Sequence, residues 1–324
     1  MRIKTGGQKM MRAGFLAAIG TTLVAMAQWV AAPPARALGG GQRTIVEANP
    51  APTTEQIQSL IARAIENQHR NDQALEEYER VERVVTRKPD GSSDALTNRV
   101  VPSGTGTMKL QLAENGKNVS PELYRNELQF AVTALTIAIH PNDRYKADLV
   151  KFERRRRERS ELVDLAPKAF RMKWAGREAR PDSSEPRGSR TLAKILLDPD
   201  PAYKPTIRFG AAFGHVHATL WLDESQAQFA RLEADITSDI SFAGGIAGKI
   251  YRGGHFVMEQ SEAAPGVWLP TLYTYDVDGR KFLFVFGVHE RTEITRYRRL
   301  GPPSKSIEII RAELKSLTAE TPAH

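Results

Sequence analysis

The chain has 324 residues, no cysteine and a formal net charge of +8. The lack of cysteine excludes disulfides, thiolate metal sites and a cysteine nucleophile. Five of the positive charges lie in the first 37 residues, so the rest of the chain carries only about +3 and gives no general argument for nucleic-acid binding. About 290 residues remain beyond that segment, which is enough for one large β-rich core or two smaller units.

The start of the chain predicts an export signal. Four basic residues among the first twelve precede an uncharged stretch from 13 to 32, and Ala35-Arg36-Ala37 follows. This order predicts cleavage before Leu38, with an earlier site before Gln28 as an alternative. Twenty uncharged residues are also long enough to span a bilayer, so a retained membrane anchor is the other interpretation.

The first part of the exported chain predicts one helix and then three strands. Thr53 is placed to begin a helix, because apolar residues follow it at helical spacing: Ile57, Leu60, Ile61, Ala64 and Ile65. Strands are predicted at about 78–85, 95–101 and 107–112, with turns at Pro89-Asp90-Gly91 and Asn115-Gly116.

Two further helices are predicted in the middle of the chain. Ser120 is placed to cap the first, which begins at Pro121 and reaches about Ala138. The second covers about 145–165 and is highly charged. Its centre holds four consecutive arginines: Arg154, Arg155, Arg156 and Arg157. A solvated helix face is the ordinary interpretation of such a run, and contact with anionic lipid head groups or an acidic partner is the alternative.

Residues from 170 to 298 predict a series of strands separated by Gly, Pro and Asp. Their regular spacing indicates one antiparallel meander, and the stretch from Asp276 to Gly279 predicts a hairpin turn within it. A loop is predicted near Pro181, and a last helix at about 304–317. The predicted fold class is therefore α+β.

Motifs that would indicate an enzyme are weak in this sequence. His215 and His217 are two residues apart, so on a strand they would share a face, and His255 or His289 on other predicted strands could complete a metal site. Partly exposed strand residues are the ordinary interpretation, because no HExxH pair accompanies them. The Gly-rich segment 242–254 lacks the P-loop pattern, and no Gly-x-Ser-x-Gly elbow or acid-base carboxylate pair is present. We therefore expect no enzymatic activity and no cofactor, and a secreted metal-dependent hydrolase is the weakest alternative.

Aromatic residues are concentrated in the predicted β region. A twisted antiparallel sheet that curls around a helix leaves a concave apolar face, which can hold an acyl chain if the helix does not fill it. The candidates for the wall of such a cavity are Trp221, Phe229, Phe242, Phe256, Trp268, Tyr273, Phe282 and Phe284.

Several short motifs give the chain a likeness to a known family. They are Tyr78-Glu-Arg-Val81, Asn115-Gly116-Lys117, Leu220-Trp221-Leu222-Asp223, Gly253-Gly254-His255-Phe256, Gly266-Val-Trp268-Leu-Pro270 and Gly279-Arg-Lys-Phe282. With these motifs, residues 53–300 resemble the outer-membrane lipoprotein-sorting protein family, the LolA/LolB-like half-barrels of the bacterial periplasm. The charged segment at 145–165 and the long loop near Pro181 depart from the family's pattern, and no ligand-gripping arginine can be matched.

The resemblance implies an incomplete antiparallel β-barrel closed by helices over an apolar cavity, in a family of carriers and not of enzymes. It implies a periplasmic protein whose partners are lipid or lipoprotein acyl chains. The expected organisation is a signal peptide at 1–37, a polar leader at 38–52, the half-barrel at 53–303 and a C-terminal helix and tail at 304–324. The first alternative is a structural module at the outer membrane, with envelope protein partners and peripheral membrane contact but no nucleic acid.

Overall fold

The computed structural model describes residues 51–181, 189–207, 209–242, 248–282 and 284–319. The predicted export signal, most of the predicted loop near Pro181 and the centre of the Gly-rich segment therefore lie outside the described residues. No helix of the described part is long and apolar enough to cross a membrane.

The described residues form four α-helices, one 3-10 helix and thirteen strands. The helices are α1 (Thr54–Leu75), α2 (Pro121–Ile139), α3 (Asp143–Ala169) and α4 (Pro303–Ala319), with the 3-10 helix at Gly210–His215. The strands are β1 (Tyr78–Arg87), β2 (Ser93–Pro102), β3 (Thr107–Glu114), β4 (Lys117–Asn118), β5 (Phe170–Pro181), β6 (Ser189–Pro199), β7 (Val216–Asp223), β8 (Gln228–Ile236), β9 (Ile240–Phe242), β10 (Gly248–Ile250), β11 (His255–Ala264), β12 (Val267–Lys281) and β13 (Phe284–Arg299).

All thirteen strands belong to one antiparallel sheet. Eleven of them follow one another in the order β4-β3-β2-β1-β13-β12-β11-β8-β7-β6-β5, while β9 pairs with β10 and β10 pairs with β12. Within the described residues no ladder joins β4 to β5, so the sheet is open. The α+β fold class and the predicted meander are confirmed, and the pairing of β1 with β13 joins the first and last strands of the chain.

Helix boundaries follow from the capping residues. The Thr53 hydroxyl accepts a hydrogen bond from the Gln56 N–H at 3.3 Å, and the Gln56 side chain accepts one from the Thr53 N–H, which completes a capping box. Ser120 caps α2 ahead of Pro121, and Asn142 caps α3 in the same way. The predicted starts of the first two helices are therefore confirmed.

The predicted turn at Asp276–Gly279 is wrong, because these residues lie inside β12. The hairpin instead turns after Lys281, which pairs with Phe284. Gly279 allows neighbouring strands to pack closely and does not form a turn. A Cβ at this position would lie 2.5 Å from the Lys249 carbonyl oxygen and 2.7 Å from Cζ of Phe286.

Helices cover opposite faces of the sheet at its two ends. The larger core lies beneath α1 and α3, which pack on one face of β5 to β8, β11 and β12; we call this the inner face. The smaller core lies between α2, α4 and the other face of β2 and β3, around Val101 and Leu110. The register supports this division. Tyr273 of the inner face pairs with Thr292, and Thr292 pairs with Val84, so these three residues share the inner face. Arg99 pairs with Leu110, and these two residues share the other face.

A buried ion-pair network attaches α2 and α4 to the sheet. Arg99 of β2 donates to Glu79 of β1 at 2.7 Å, to the Tyr124 hydroxyl of α2 at 2.9 Å and to Glu313 of α4 at 2.7 Å. The Tyr124 hydroxyl in turn donates to Glu313 at 2.8 Å. One guanidinium therefore links two strands and two helices.

We predict that Arg99→Ala lowers the free energy of unfolding by about 3 kcal/mol, because the buried Glu79 carboxylate and the partly buried Glu313 carboxylate lose their common partner. Urea unfolding followed by circular dichroism measures this change. Arg83→Ala is the matched control, since Arg83 and Glu293 form an exposed pair at 3.4 Å whose loss should cost less than about 1 kcal/mol. Equal losses in the two variants would contradict the prediction.

Candidate functional site

An apolar cleft lies between α1, α3 and the inner face of the sheet. Its empty volume, the open mouth included, is about 510 Å³. The lining residues are Ile61, Ile65, Gln68, Val163, Ala166, Pro167, Met172, Leu197, Leu220, Phe229, Leu232 and Met258. All of them except Gln68 are apolar.

Two asparagines fix α1 above the sheet. The Asn67 amide donates to the backbone carbonyls of Gln226 and Ala227 at 2.9 and 2.8 Å. The Asn71 side chain donates to Gln228 at 2.8 Å and accepts from the Trp268 N–H at 3.0 Å. These bonds hold the helix at the ends of β7, β8 and β12, with its apolar stripe facing the cleft.

The last turn of α3 forms the opposite wall. Val163, Ala166 and Pro167 face the cleft there. Pro167 has no N–H, so it cannot donate to the carbonyl of Val163, and α3 ends two residues later at Ala169. Proline therefore ends the helix at the wall of the cleft.

Polar side chains meet at one end of the cleft. The Gln260 amide donates to Gln68 at 2.9 Å, and Gln68 donates to Asp72 at 3.0 Å. Asp72 lies 3.3 Å from the Arg159 guanidinium of α3. This chain of contacts joins the sheet, α1 and α3, and gives the apolar cleft one polar end.

The inner face of the sheet also carries polar residues near β1, on the side of Tyr273 that is away from the cleft. The Glu82 carboxylate of β1 is buried and lies 2.8 Å from both Arg80 and Lys109. Burial raises the pKa of Glu82, but the charges of Arg80 and Lys109 outweigh it, so the net pKa is lowered. Burial raises the pKa of nearby Glu290, and a hydrogen bond from Thr292 and the charge of Lys109 only partly oppose this.

The aromatic residues predicted to line a cavity lie in four places. Phe229 lines the cleft. Phe242, Phe256 and Tyr273 pack in the inner core, where Phe256 is fully buried and its ring lies 6.2 Å from that of Tyr273. They fill the inner face beside the cleft.

Two predicted tryptophans lie on the other face of the sheet or at its end. Leu220 and Leu222 point into the inner core, so strand alternation places Trp221 on the outer face, where its ring nitrogen donates to Glu178 at 2.9 Å. Trp268 packs with Trp221 in a separate cluster. The remaining two candidates, Phe282 and Phe284, are exposed at the end of the β12–β13 hairpin.

The cleft is thus lined mainly by aliphatic residues that were not among the predicted candidates. Their pattern is present in the sequence, since Leu220 alternates with Thr219 and Trp221, Leu232 alternates with charged neighbours, and Ile61 and Ile65 belong to the stripe of α1. Assigning them to a cleft requires the order of the strands, which the sequence pattern does not provide.

Three of the four histidines considered for a metal site form a row across neighbouring strands on the outer face of the sheet; they are His217, His255 and His289. His215 lies apart from this row. His215 ends the 3-10 helix and contacts the Ser238 hydroxyl at 2.7 Å, so it does not share a strand with His217 as predicted. The row alternates with aspartates at directly paired positions: His217, Asp235, His255, Asp276 and His289. Asp198 continues the row through its contact with His217.

Carboxylates contact two imidazoles of this row. Nδ1 of His217 lies 2.7 Å from Asp198, and Nδ1 of His289 contacts Asp276. Burial raises the pKa of Asp235, and His255 and His217 oppose this shift. No three His, Asp or Glu side chains of the described residues are placed to bind a metal ion.

The four arginines predicted to contact a membrane or partner lie together on α3. Arg154, Arg155, Arg156 and Arg157 are all exposed. Arg156 lies 3.3 Å from Glu76, and Arg154 lies 3.9 Å from Glu158. The predicted charged helix is confirmed over Asp143–Ala169.

Comparison with known proteins gives two distant structural similarities. The chain is similar to an outer membrane lipoprotein-sorting protein domain from Vibrio parahaemolyticus, with 10% identity and a TM-score of 0.29 over 78% of this chain and 99% of that one. It is also similar to a DUF1329 family protein from Desulfovibrio piger, with 9% identity and a TM-score of 0.27 over 75% and 93%. No protein-family model and no curated protein matches the chain.

The first similarity is to a protein whose description names the same family that the sequence motifs resemble. TM-scores below 0.3 are too low to argue for a shared function or ligand. The function must therefore be argued from the residues of this chain.

We predict that Glu82→Gln lowers the free energy of unfolding at pH 7 by about 1–3 kcal/mol, because Arg80 and Lys109 lose a buried carboxylate. Since the folded-state pKa of Glu82 is lowered, its stabilising contribution is present above its unfolded-state pKa and is lost as the pH falls through the folded-state pKa. The difference between wild type and variant should therefore shrink towards pH 3. Unfolding curves between pH 7 and pH 3 measure it.

Glu290→Gln is the control for that experiment, because the pKa of Glu290 is shifted in the opposite direction. A raised pKa means that the charged form is disfavoured in the folded protein at pH 7. Glu290→Gln should therefore leave stability at pH 7 unchanged or raise it. The same loss in both variants would refute the assignment of the two carboxylates.

Proposed function

We propose that this chain is an exported, non-enzymatic carrier that holds an acyl chain in the cleft between α1, α3 and the sheet. In this proposal the open antiparallel sheet and the two helices form a half-barrel, and the protein acts in the periplasm after its signal is removed. The observation that carries the proposal is the apolar cleft with a polar end. The motifs shared with the lipoprotein-sorting family and the export signal in the sequence support it.

The chemistry of the cleft suits a linear alkyl chain. Eleven of its twelve lining side chains are apolar, and most are aliphatic. Met172 and Met258 have flexible side chains that adapt to an irregular ligand. Each methylene that leaves water for such a surface contributes about 0.8 kcal/mol, so affinity should rise with chain length.

The polar end defines how an amphiphile would lie. Gln68, Asp72 and Arg159 provide amide, carboxylate and guanidinium groups where the apolar wall ends. A lipid would place its alkyl chain along the aliphatic wall and its polar group towards Arg159.

We predict that Ala166→Leu weakens uptake of a fluorescent fatty acid by about tenfold, because the larger side chain occupies the cleft beside Val163. Ala147→Leu is the matched control, since Ala147 is exposed on the same helix. Fluorescence titration measures both affinities, and circular dichroism verifies that both variants are folded. Protein extracted mildly from the cell envelope should also carry lipid or acylated protein in its mass spectrum.

Two results would argue against the carrier function. One is unchanged uptake in Ala166→Leu, which would place the fatty acid outside the cleft. The other is a wild-type protein that is free of lipid when extracted and takes up no fatty acid at all.

A second function, as an interaction module at the outer membrane, is favoured by the exposed arginines of α3. If these arginines bind an acidic envelope partner, replacing Arg154, Arg155, Arg156 and Arg157 by Gln should release the protein from envelope fractions. Replacement of the same four residues by Lys is the control, because it keeps the positive charge. Sedimentation of envelope fractions measures the association, and retention of the Gln variant would exclude this function.

A further inference from the structure

The end of the β12–β13 hairpin exposes large apolar side chains. Phe284 and Val285 are 78% and 77% exposed, the two highest values among the exposed large hydrophobic residues of the described chain, and Phe282 is 54% exposed. Consecutive residues of a strand point to opposite faces. The exposure of both Phe284 and Val285 therefore means that neither face of the hairpin end is covered by the described residues.

The hairpin projects because its neighbouring strands end earlier. On one side, β1 pairs with β13 only as far as Glu290, which pairs with Thr86. Six residues separate Glu290 from Phe284, which corresponds to about 20 Å of extended strand. On the other side, β10 pairs with β12 only as far as Arg280. Among the described residues, the tip thus extends beyond the last ladder on both sides.

The base of the projecting hairpin is closely packed. Gly279 leaves space for the ring of Phe286 and for the carbonyl of Lys249, so three strands pack closely there. Arg280 donates a hydrogen bond from its guanidinium to the carbonyl of Phe282 at 3.2 Å.

Phe282 has a backbone conformation that its side chain does not favour. Its φ is +53°, in the left-handed region where glycine or asparagine is usual. A phenylalanine at this position gains little from burial, because it is half-exposed. Neither turn geometry nor core packing accounts for an aromatic residue here, whereas an external apolar contact does.

Basic residues surround the apolar tip. Arg280 and Lys281 precede it on β12, and Lys249 lies directly opposite Arg280 on β10. The Lys249 ammonium lies 2.7 Å from the Asp239 carboxylate and 6.0 Å from the ring centre of Tyr251, so its charge is already paired within the protein. An apolar tip preceded by Arg280 and Lys281 matches a bilayer surface, where acyl chains lie beneath anionic head groups.

We propose that the hairpin tip, formed by Phe282, Phe284 and Val285, inserts into the surface of an anionic lipid bilayer while Arg280 and Lys281 contact the head groups. This inference goes beyond the carrier function, because it concerns a surface that is separate from the cleft. It brings the protein to a membrane through its folded domain.

The chain contains no cysteine, so a single introduced cysteine can be labelled without side reactions. The full chain with Phe284→Cys, labelled with a polarity-sensitive nitrobenzoxadiazole dye, is mixed with vesicles of phosphatidylglycerol and phosphatidylethanolamine. We expect a blue shift of the dye emission and quenching by lipids brominated on their acyl chains. Phe130→Cys and Val150→Cys are the matched controls, since these residues are 61% and 66% exposed on α2 and α3, and their dyes should remain in water.

The comparison between positions also separates the tip from the predicted export signal. A signal segment that binds vesicles by itself would bring all three labelled proteins to the bilayer equally, without inserting residue 284. A dye at 284 that stays in water, or one that shifts no more than the dyes at 130 and 150, overturns the proposal and leaves a protein as the partner of the tip.

Two sets of variants test the components of the contact. A double variant that combines Phe282→Ser and Val285→Ser, with the dye at residue 284, should partition into vesicles about tenfold or more less strongly. The pair Arg280→Gln and Lys281→Gln should remove the preference for phosphatidylglycerol over phosphatidylcholine vesicles. Partitioning that is unchanged in the serine variants, or a lipid preference that persists in the glutamine variants, would contradict these roles.

The outcome is independent of the proposed carrier function. The serine variants should take up the fluorescent fatty acid normally, because Phe282 and Val285 do not line the cleft. Conversely, Ala166→Leu should leave insertion of the tip unchanged. If the serine variant or Ala166→Leu loses both fatty-acid uptake and insertion of the tip, the two functions share one site. That result would overturn the assignment of the tip as a separate membrane contact.

Discussion

The pairing of β1 with β13 is the constraint on which the rest of the structure depends. Its ladder runs from Tyr78 opposite Arg299 to Thr86 opposite Glu290, and it joins the two ends of the folded chain in one sheet. Because β1 follows α1 directly and β13 precedes α4, this ladder also sets where both helices begin to pack. The strands between β1 and β13 in the chain then extend the sheet on both sides of this ladder.

The division of helices between the two faces follows from that arrangement. Alternation of side chains along each strand sends one set of residues beneath α1 and α3 and the other set beneath α2 and α4. Neither helix pair covers the whole sheet. Near β1 the inner face carries buried charges such as Glu82, whereas near β7 it is aliphatic, so the cleft lies beside a polar region.

Buried polar groups perform different tasks in the two halves. Arg99 and its partners attach α2 and α4 to the sheet, and their loss would leave charges buried. Asn67 and Asn71 instead fix the height of α1 above β8. The width of the cleft therefore depends on hydrogen bonds at the end of α1 as well as on the apolar side chains that line it.

Local structure could be predicted from the sequence, but its assembly could not. Helix starts depend on residues such as Thr53 and Ser120 and their near neighbours, so capping rules located them. The β1–β13 ladder joins residues more than 200 positions apart, and no local pattern indicates it. The turn predicted at Gly279 failed for the same reason, because the glycine is required by Phe286 and Lys249, which other strands bring to it.

The roles of the aromatic residues show the same limit. Composition indicates that Trp221 and Phe229 belong to the sheet, but only the register places one on the outer face and the other in the cleft. Phe284 is equally apolar and yet lies beyond the end of the β1 ladder, paired among the described residues only with Lys281 of its own hairpin, and is 78% exposed. A sequence can therefore indicate that apolar surface exists, while the lengths of adjacent strands decide whether that surface faces a core, a ligand or solvent. In this protein β13 extends six residues past its last partner on β1, and that difference in length is what exposes the hairpin tip.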